Sequence, residues 1–148
     1  MSTMREQRQR IASVLKDWEL LEQESSESIE QVKTKCDNPI VRLVMDIIEH
    51  DSRLHMKIRE FILNSFEREP LTLSPDEVGN VIELIRNQTR LKTQIVEKVE
   101  KTMEATKDKS LHIQEFLMKT LLVDERKHKE MLKGIEKVMQ GLYPYWPH

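Results

Sequence analysis

The sequence predicts an all-α protein: a four-helix bundle over residues 1–141, followed by a short aromatic tail at 142–148. The 148 residues suit a single domain that is long enough to build a core. Charged residues make up 34% of the chain and aromatic residues 5%, with only 3 glycines and 5 prolines, a composition that favours helices. Apolar residues also recur with a helical period in four long stretches, separated by short breaks.

The first helix is expected from Met4 to about Lys35. Its apolar stripe follows the helical period and consists of Ile11, Val14, Leu15, Trp18, Leu21, Ile29 and Val32. Glu19 and Glu22 flank the middle of this stripe, which is therefore polar at that level.

The second helix is expected from Pro39 to Ser65 or Glu67. Asn38 precedes it and can cap it, and proline is well suited to the first helical position. The apolar residues expected to face inward are Val44, Ile47, Ile48, Leu54, Ile58 and Ile62.

The third helix is expected from Pro75 to about Ala105, because Ser74 and Glu77 form a capping-box pattern around its first residue. Its inward residues are expected to be Val78, Val81, Ile82, Ile85, Val96, Val99 and Met103. The fourth helix should follow the break at 106–110 and reach about Gln140, with Leu117, Leu121, Leu132 and Ile135 inward.

An Asp-x-x-x-His pattern occurs twice, as Asp51 with His55 and as Asp124 with His128, at an offset of 73 residues. Residues four apart lie on one helix face, so each stretch presents an aspartate and a histidine together within an apolar stripe. Aspartate is rarely buried without a partner. Counted from the helix ends, four polar pairs are expected to converge on one layer of the bundle: Glu19/Glu22, Asp51/His55, Thr89/Lys92 and Asp124/His128.

With these residues the sequence resembles the ferritin-like superfamily, especially its rubrerythrin and bacterioferritin branches. In that family helices 1 and 3 each give a glutamate, and helices 2 and 4 each give Glu-x-x-His, to bind two metals. Helix 4 matches the family's Asp-Glu-x-x-His through Asp124, Glu125 and His128. Helix 2 has Asp51 and His55, but Ser52 stands at the glutamate position.

Of the glutamates that the family has on helices 1 and 3, this sequence has the first and lacks the second. Glu19 lies 36 residues before His55, as the family requires, and Glu22 is the alternative, closer to the centre of the apolar face. The same spacing before His128 falls on Lys92 instead of a glutamate. The connection between helices 2 and 3 is also short for the family's crossover, so a simple up-down-up-down bundle is the alternative topology.

The resemblance implies a non-haem metal protein acting in oxidoreduction or metal handling, with an incomplete site. The implied metal residues are Glu19, Glu22, His55, Glu125 and His128, with Asp51 and Asp124 orienting the histidines. This donor set suits one ion of Fe, or of Mn or Zn, better than a symmetric pair. We therefore expect at most about one transition metal per chain, and no catalytic residue is assigned.

The alternative is a non-catalytic helical scaffold that has lost the metals. In this scaffold the charge of Lys92 replaces the positive charge of the lost metal, and Lys92 pairs with Asp51, Asp124 or Glu125. Its partner would be another protein, bound through the aromatic tail at 142–148 or through a helix face.

Charge and composition limit the other classes of function. The formal net charge of −2 gives no indication of nucleic-acid binding, and no apolar run has the length needed to span a bilayer. A single cysteine, Cys36, and a polar N-terminal segment predict a cytoplasmic protein. We expect a homodimer.

Overall fold

The computed structural model describes residues 3–65 and 74–142, which contain four α-helices. The helices are α1, Met4–Lys35; α2, Pro39–Asn64; α3, Pro75–Thr106; and α4, His112–Leu142. No strand occurs in these two ranges, so the predicted all-α class is confirmed for the described part of the chain. Glu67, one of the two expected ends of the second helix, and the aromatic tail after Leu142 lie outside the described residues.

Three helices begin at caps that the local sequence encodes. Ser74 accepts a hydrogen bond from the backbone N–H of Glu77 at 3.2 Å, while the Glu77 carboxylate accepts one from the backbone N–H of Ser74. Thr3 and Glu6 form the same capping box before α1, and Asn38 caps α2 through its side-chain oxygen. The caps predicted for α2 and α3 are therefore confirmed, because they depend only on residues within one turn.

The chain divides into two compact units, Met1–Leu71 and Thr72–His148. The first unit contains α1 packed on α2, and the second contains α3 packed on α4. Each unit is a helical hairpin. The single ferritin-like domain over residues 1–141, with its common polar layer, stays a prediction.

In the first hairpin the two helices are antiparallel. Lys33, near the end of α1, contacts Asp46 and Glu49 in the first half of α2 at 2.7 and 2.9 Å. Glu22, earlier in α1, lies 3.7 Å from Arg59 near the end of α2. The contacts thus run in opposite directions along the two helices, and they bring polar groups of α1 and α2 to two levels of the hairpin.

The second hairpin is antiparallel as well. Arg86, in the first half of α3, pairs with Glu136 near the end of α4 at 2.8 Å, whereas Glu100, later in α3, pairs with Arg126 at 3.3 Å. The buried apolar side chains of this hairpin are Val96, Leu122 and Met139. These contacts fix which side of α4 faces α3.

Each hairpin leaves large apolar side chains exposed on its helices. In the first hairpin they include Leu43, Ile48, Leu54, Ile58, Phe61 and Ile62 on α2, and in the second Ile113, Phe116, Leu121, Met131, Ile135 and Val138 on α4. Several of these residues were expected to face inward. Two packed helices bury one stripe of each helix and leave the remaining apolar side chains uncovered. No helix in the described ranges is long and apolar enough to cross a membrane.

Candidate functional site

Glu22 is the centre of a polar cluster in the first hairpin. Its Oε1 accepts a hydrogen bond from the Trp18 indole N–H at 3.1 Å and lies 3.9 Å from Nδ1 of His55. Arg59 Nη1 is 3.7 Å from the same oxygen, and Ser52 hydrogen-bonds to the carboxylate. Of the two glutamates predicted on the first helix, Glu22 is therefore the one that contacts a predicted histidine.

The surroundings of Glu22 favour its charged form. Burial raises the pKa of Glu22, but the hydrogen bonds from Ser52 and Trp18 and the charges of Arg59 and His55 oppose burial and outweigh it. The net result is a pKa below the ordinary glutamate value. Glu22 is thus held as a carboxylate, with a positive group already beside it.

Arg59 is the most buried charged residue of the described chain, with 6% of its surface exposed. Its guanidinium carbon lies 5.1 Å from the centre of the Trp18 ring, a cation–π distance. Its buried Nη1 has no hydrogen-bond partner within the described ranges, so the Glu22 carboxylate and the Trp18 ring are what offset its burial. The positive charge of Arg59 therefore balances the negative charge of Glu22 within the hairpin.

A groove of about 200 Å³ runs between α1 and α2 beside this cluster. Its polar lining includes Glu19, Glu22, Ser52, Arg53 and Glu49. Glu19 is an exposed residue, and it lines this groove together with Glu22. Between the two glutamates, His55 contacts Glu22. No contact with His55 therefore favours Glu19 as a ligand.

Glu125 is the carboxylate at the centre of a polar cluster in the second hairpin, at the position that Ser52 has in the first. Its Oε2 lies 2.9 Å from the Lys92 ammonium nitrogen and 3.8 Å from Nδ1 of His128. The Lys92 and Glu125 side chains are only 18% and 17% exposed, so the pair is largely shielded from water. Lys92, which stands where the ferritin-like pattern requires a glutamate, thus forms an ion pair with one of the predicted metal residues, without a hydrogen bond to its Oε2.

The two hairpins contain similar groups in different arrangements, since His55 lies on the opposite helix from Glu22, whereas His128 lies on the same helix as Glu125. In each, a shielded glutamate lies within 4 Å of a histidine and of a lysine or arginine. His55 and His128, which are equivalent in the repeated pattern, are both half-exposed at 50% and 42%. The described residues bring together two donors per hairpin, and no group of three or more Asp, Glu, His or Cys side chains able to hold a metal occurs among them.

The two aspartates make local contacts. Asp51 lies 3.8 Å from Nδ1 of its neighbour His50, and Asp124 accepts a hydrogen bond from Lys127 at 3.3 Å, one turn further along α4. Both aspartates are about 40% exposed. The proposed orientation of each histidine by the aspartate of the opposite stretch stays a prediction.

A second polar cluster of the first hairpin was not predicted. Lys33 joins Asp46 and Glu49, and its hydrogen bonds to Asp46 and then Glu49 raise the pKa of Lys33 above its ordinary value. The hydrogen bond from Lys33 in turn lowers the pKa of both carboxyl groups. The sequence signal for it is weak, because Lys33 lies on α1 and the two carboxylates lie on α2.

Arg59 was missed for a different reason. It lies four residues after His55 on α2, so it lies within one turn of the predicted site. An arginine at such a position ordinarily extends its charged group to water. Its burial depends on Trp18 from the neighbouring helix, which the pattern of α2 alone does not show.

Comparison with protein-family models, with curated proteins and with solved structures finds no match for this chain.

Proposed function

We propose that this chain is a non-catalytic helical interaction protein, ferritin-like in its residue pattern, in which internal cations have taken the place of metal. One observation carries the proposal: the Lys92 ammonium group lies 2.9 Å from Glu125, at the position where the ferritin-like pattern has a metal-binding glutamate. The first hairpin supports it, because the guanidinium of Arg59 lies 3.7 Å from Glu22.

The physical reason is charge balance. A carboxylate shielded from water needs a positive partner, and either a metal ion or an ammonium group supplies one. With Lys92 at 2.9 Å the charge of Glu125 is balanced. A divalent ion placed beside it would meet a like charge, and its binding would require Lys92 to move. The donor set of each hairpin therefore does not fit a di-metal centre as it stands.

The interaction role rests on the apolar side chains that each hairpin leaves exposed. Exposed apolar surface is costly in water, and large patches of it are typical of surfaces that bind protein. Binding through the aromatic tail at 142–148 and a cytoplasmic location stay predictions.

Elemental analysis of the untagged protein, purified without chelator from cells supplied with Fe, Mn and Zn, tests the proposal. We expect far less than one equivalent of any of the three metals per chain. About one equivalent that is lost in His55→Ala, in His128→Ala or in both would overturn the proposal. Metal that persists in both variants is not held by these histidines, so the proposal stands in that case.

The second candidate is a protein that holds one transition-metal ion. It is favoured by the distances of 3.9 Å between Glu22 and His55 and 3.8 Å between Glu125 and His128. Metal bonds of about 2.1 Å allow an oxygen and a nitrogen on one ion to be up to about 4.2 Å apart, so either pair could hold this one ion. Asp51, Asp124 and Glu19 would then support this donor set. Two irons per chain would contradict both candidates.

A further inference from the structure

Two cavities adjoin between α1 and α2. The first is the groove of about 200 Å³ beside Glu22, and the second has a volume of about 330 Å³. Glu19, Met56 and Arg59 line both cavities, so we treat them as one site, the α1–α2 groove. At roughly 30 Å³ per water molecule, the first cavity alone has the volume of about seven waters, which suits a small molecule.

The α1–α2 groove opens on a different side of the hairpin from the stripes that carry the exposed apolar side chains. An α-helix turns by about 100° per residue, and on both helices a groove residue comes directly after each residue of the stripe. On α1 the groove residues Ala12, Leu15, Glu19 and Glu22 follow Ile11, Val14, Trp18 and Leu21, and on α2 the groove residues Glu49, Ser52, Met56, Arg59 and Leu63 follow Ile48, Asp51, His55, Ile58 and Ile62. Whatever covers the apolar stripes therefore leaves the groove accessible.

Short side chains account for the first cavity. Ser26 on α1 and Ser52 on α2 both line it. Larger apolar side chains ordinarily fill the space between two packed helices. The two serines leave part of that space open and line it with hydroxyl groups, so the cavity suits a ligand that forms hydrogen bonds.

Arg59 supplies a hydrogen-bond donor without an acceptor. The residue is 6% exposed, and its Nη1 has no hydrogen-bond partner among the described residues. Glu22 balances the charge from 3.7 Å, a distance too long for a hydrogen bond. An amide oxygen would accept from Nη1 without placing a second negative charge beside Glu22. Since Nη1 is closed to water, an acceptor reaches it only when a side chain moves, and the unbranched Met56, 46% exposed, lines both cavities.

Opposite charges lie towards the two ends of the first cavity. Two of its three glutamates are already balanced, by Arg59 and by Lys33. Glu19 on α1 and Arg53 on α2 are the remaining charges of its lining. Because the helices are antiparallel, Glu19 lies about level with Ile62, which puts it about 13 Å from Arg53 along the hairpin at 1.5 Å per residue. Both side chains are long enough to shorten the distance between their charges.

We propose that the α1–α2 groove binds a short peptide of two or three residues, with its ammonium group beside Glu19, its carboxylate beside Arg53 and an amide oxygen at Arg59. An extended peptide of three residues spans about 10 Å, which matches the separation of the two charges. A ligand with one charge would meet a like charge at one end, so the groove favours a molecule with both. Leu15 and Leu63 line the second cavity, which therefore suits an apolar first side chain.

The test is calorimetric titration of the full chain with the peptide Leu-Ala-Ala. We expect saturable binding with a Kd below about 1 mM. Two blocked forms of the same peptide separate its ends: the N-acetylated form lacks the ammonium group, and the C-terminal amide lacks the carboxylate. Each blocked form should bind at least about fivefold more weakly than the free peptide.

Two variants identify the partner of each end. Glu19→Gln and Arg53→Gln should each weaken binding of the free peptide about fivefold. Glu19→Gln should leave binding of the acetylated peptide unchanged, since the group that Glu19 binds is then already absent. Arg53→Gln should likewise leave binding of the amidated peptide unchanged. A general loss of stability in a variant would weaken all three peptides alike.

A further pair of variants locates the peptide in the groove. Ser26→Leu fills the first cavity and should weaken binding at least about tenfold. Ser25→Leu is the matched control, since Ser25 is the neighbour of Ser26 in sequence but does not line the groove. After Trp146→Phe, Trp18 is the only tryptophan of the chain, and its ring lies 5.1 Å from the Arg59 guanidinium carbon. Its fluorescence should change with the same Kd, and circular dichroism should show all variants to be helical.

Four results would overturn the proposal. They are the absence of saturable binding up to about 10 mM peptide, equal affinities for the free and blocked peptides, equal effects of Ser26→Leu and Ser25→Leu, and a Trp18 fluorescence that does not respond to bound peptide. The inference does not depend on the proposed function, which concerns metal and the exposed apolar residues. Metal content therefore tests that function without deciding whether the groove binds peptide.

Discussion

Replacing Lys92 by methionine removes the ammonium group 2.9 Å from Glu125 and leaves the carboxylate without that partner. At an effective dielectric constant near 20, two unit charges at that distance attract by about 6 kcal/mol, and most of this gain is offset by the cost of taking both charges out of water. Loss of one partner of a fully buried pair costs about 3–5 kcal/mol.

Here the two side chains are 18% and 17% exposed, so water reaches the abandoned carboxylate in part. We therefore expect Lys92→Met to lower the free energy of unfolding by about 2 kcal/mol. Glu125→Gln, which leaves the ammonium group with a neutral partner, should cost about 1 kcal/mol. The double variant should cost less than the sum of the two, with a coupling energy of about 1–2 kcal/mol.

The assay is urea unfolding of the four proteins of this cycle, followed by far-ultraviolet circular dichroism. Lys119 and Glu115 provide the matched control, because they form an exposed pair on α4 with side chains 62% and 48% exposed. Their coupling should be below about 0.5 kcal/mol. A coupling for Lys92 and Glu125 that is no larger than that of the control would refute the reasoning, since the two charges would then not depend on each other.

Two further predictions concern local features of the fold. The pKa values of Glu22, Asp46 and Glu49 are all lowered in the folded chain, so their stabilisation is present above the ordinary carboxyl pKa and is lost as the pH falls through the folded values. In Lys33→Met, the free energy of unfolding should decrease less steeply as the pH falls below about 4. Lys119→Met should leave this pH dependence unchanged, and urea unfolding across pH measures both. Ser110 has a positive φ of 53° in the turn before α4, and Ser110→Gly should raise the stability by about 1 kcal/mol. A lower melting temperature for this variant would show that the serine side chain contributes more to the stability of the turn than relief of backbone strain does.

The helices themselves were predictable because their signals are local. Ser74 with Glu77, and Asn38 before Pro39, identify helix starts within four residues, and the structure has caps at these places. The capping box of Thr3 and Glu6 has the same signature and was readable in the same way.

The candidate site was predictable only in part. The repeated Asp-x-x-x-His pattern identified His55 and His128, and each lies within 4 Å of a predicted glutamate. The ferritin-like resemblance, through its spacing of 36 residues before His128, identified Lys92 at a position where that family has a glutamate. It did not reveal that Arg59 is buried, because that depends on a ring contributed by another helix.

The direction of the apolar faces was the hardest feature to predict. On α4, Leu121 and Ile135 were expected to be inward, yet both are exposed in the structure. A helical period shows that a helix has an apolar side, but α4 has apolar residues around more than half of its circumference. Only packing on α3 selects which of these residues, such as Leu122 and Met139, are buried in the hairpin.

The central claim is that Lys92 takes the place of a metal at Glu125 and His128. Zinc titration of the native protein and of Lys92→Gln by calorimetry tests it most directly, with Lys119→Gln as the control. We predict that removal of the ammonium group strengthens zinc binding at least about tenfold, since the carboxylate is then free to bind the ion. Equal zinc affinities for the native protein and Lys92→Gln would contradict the claim.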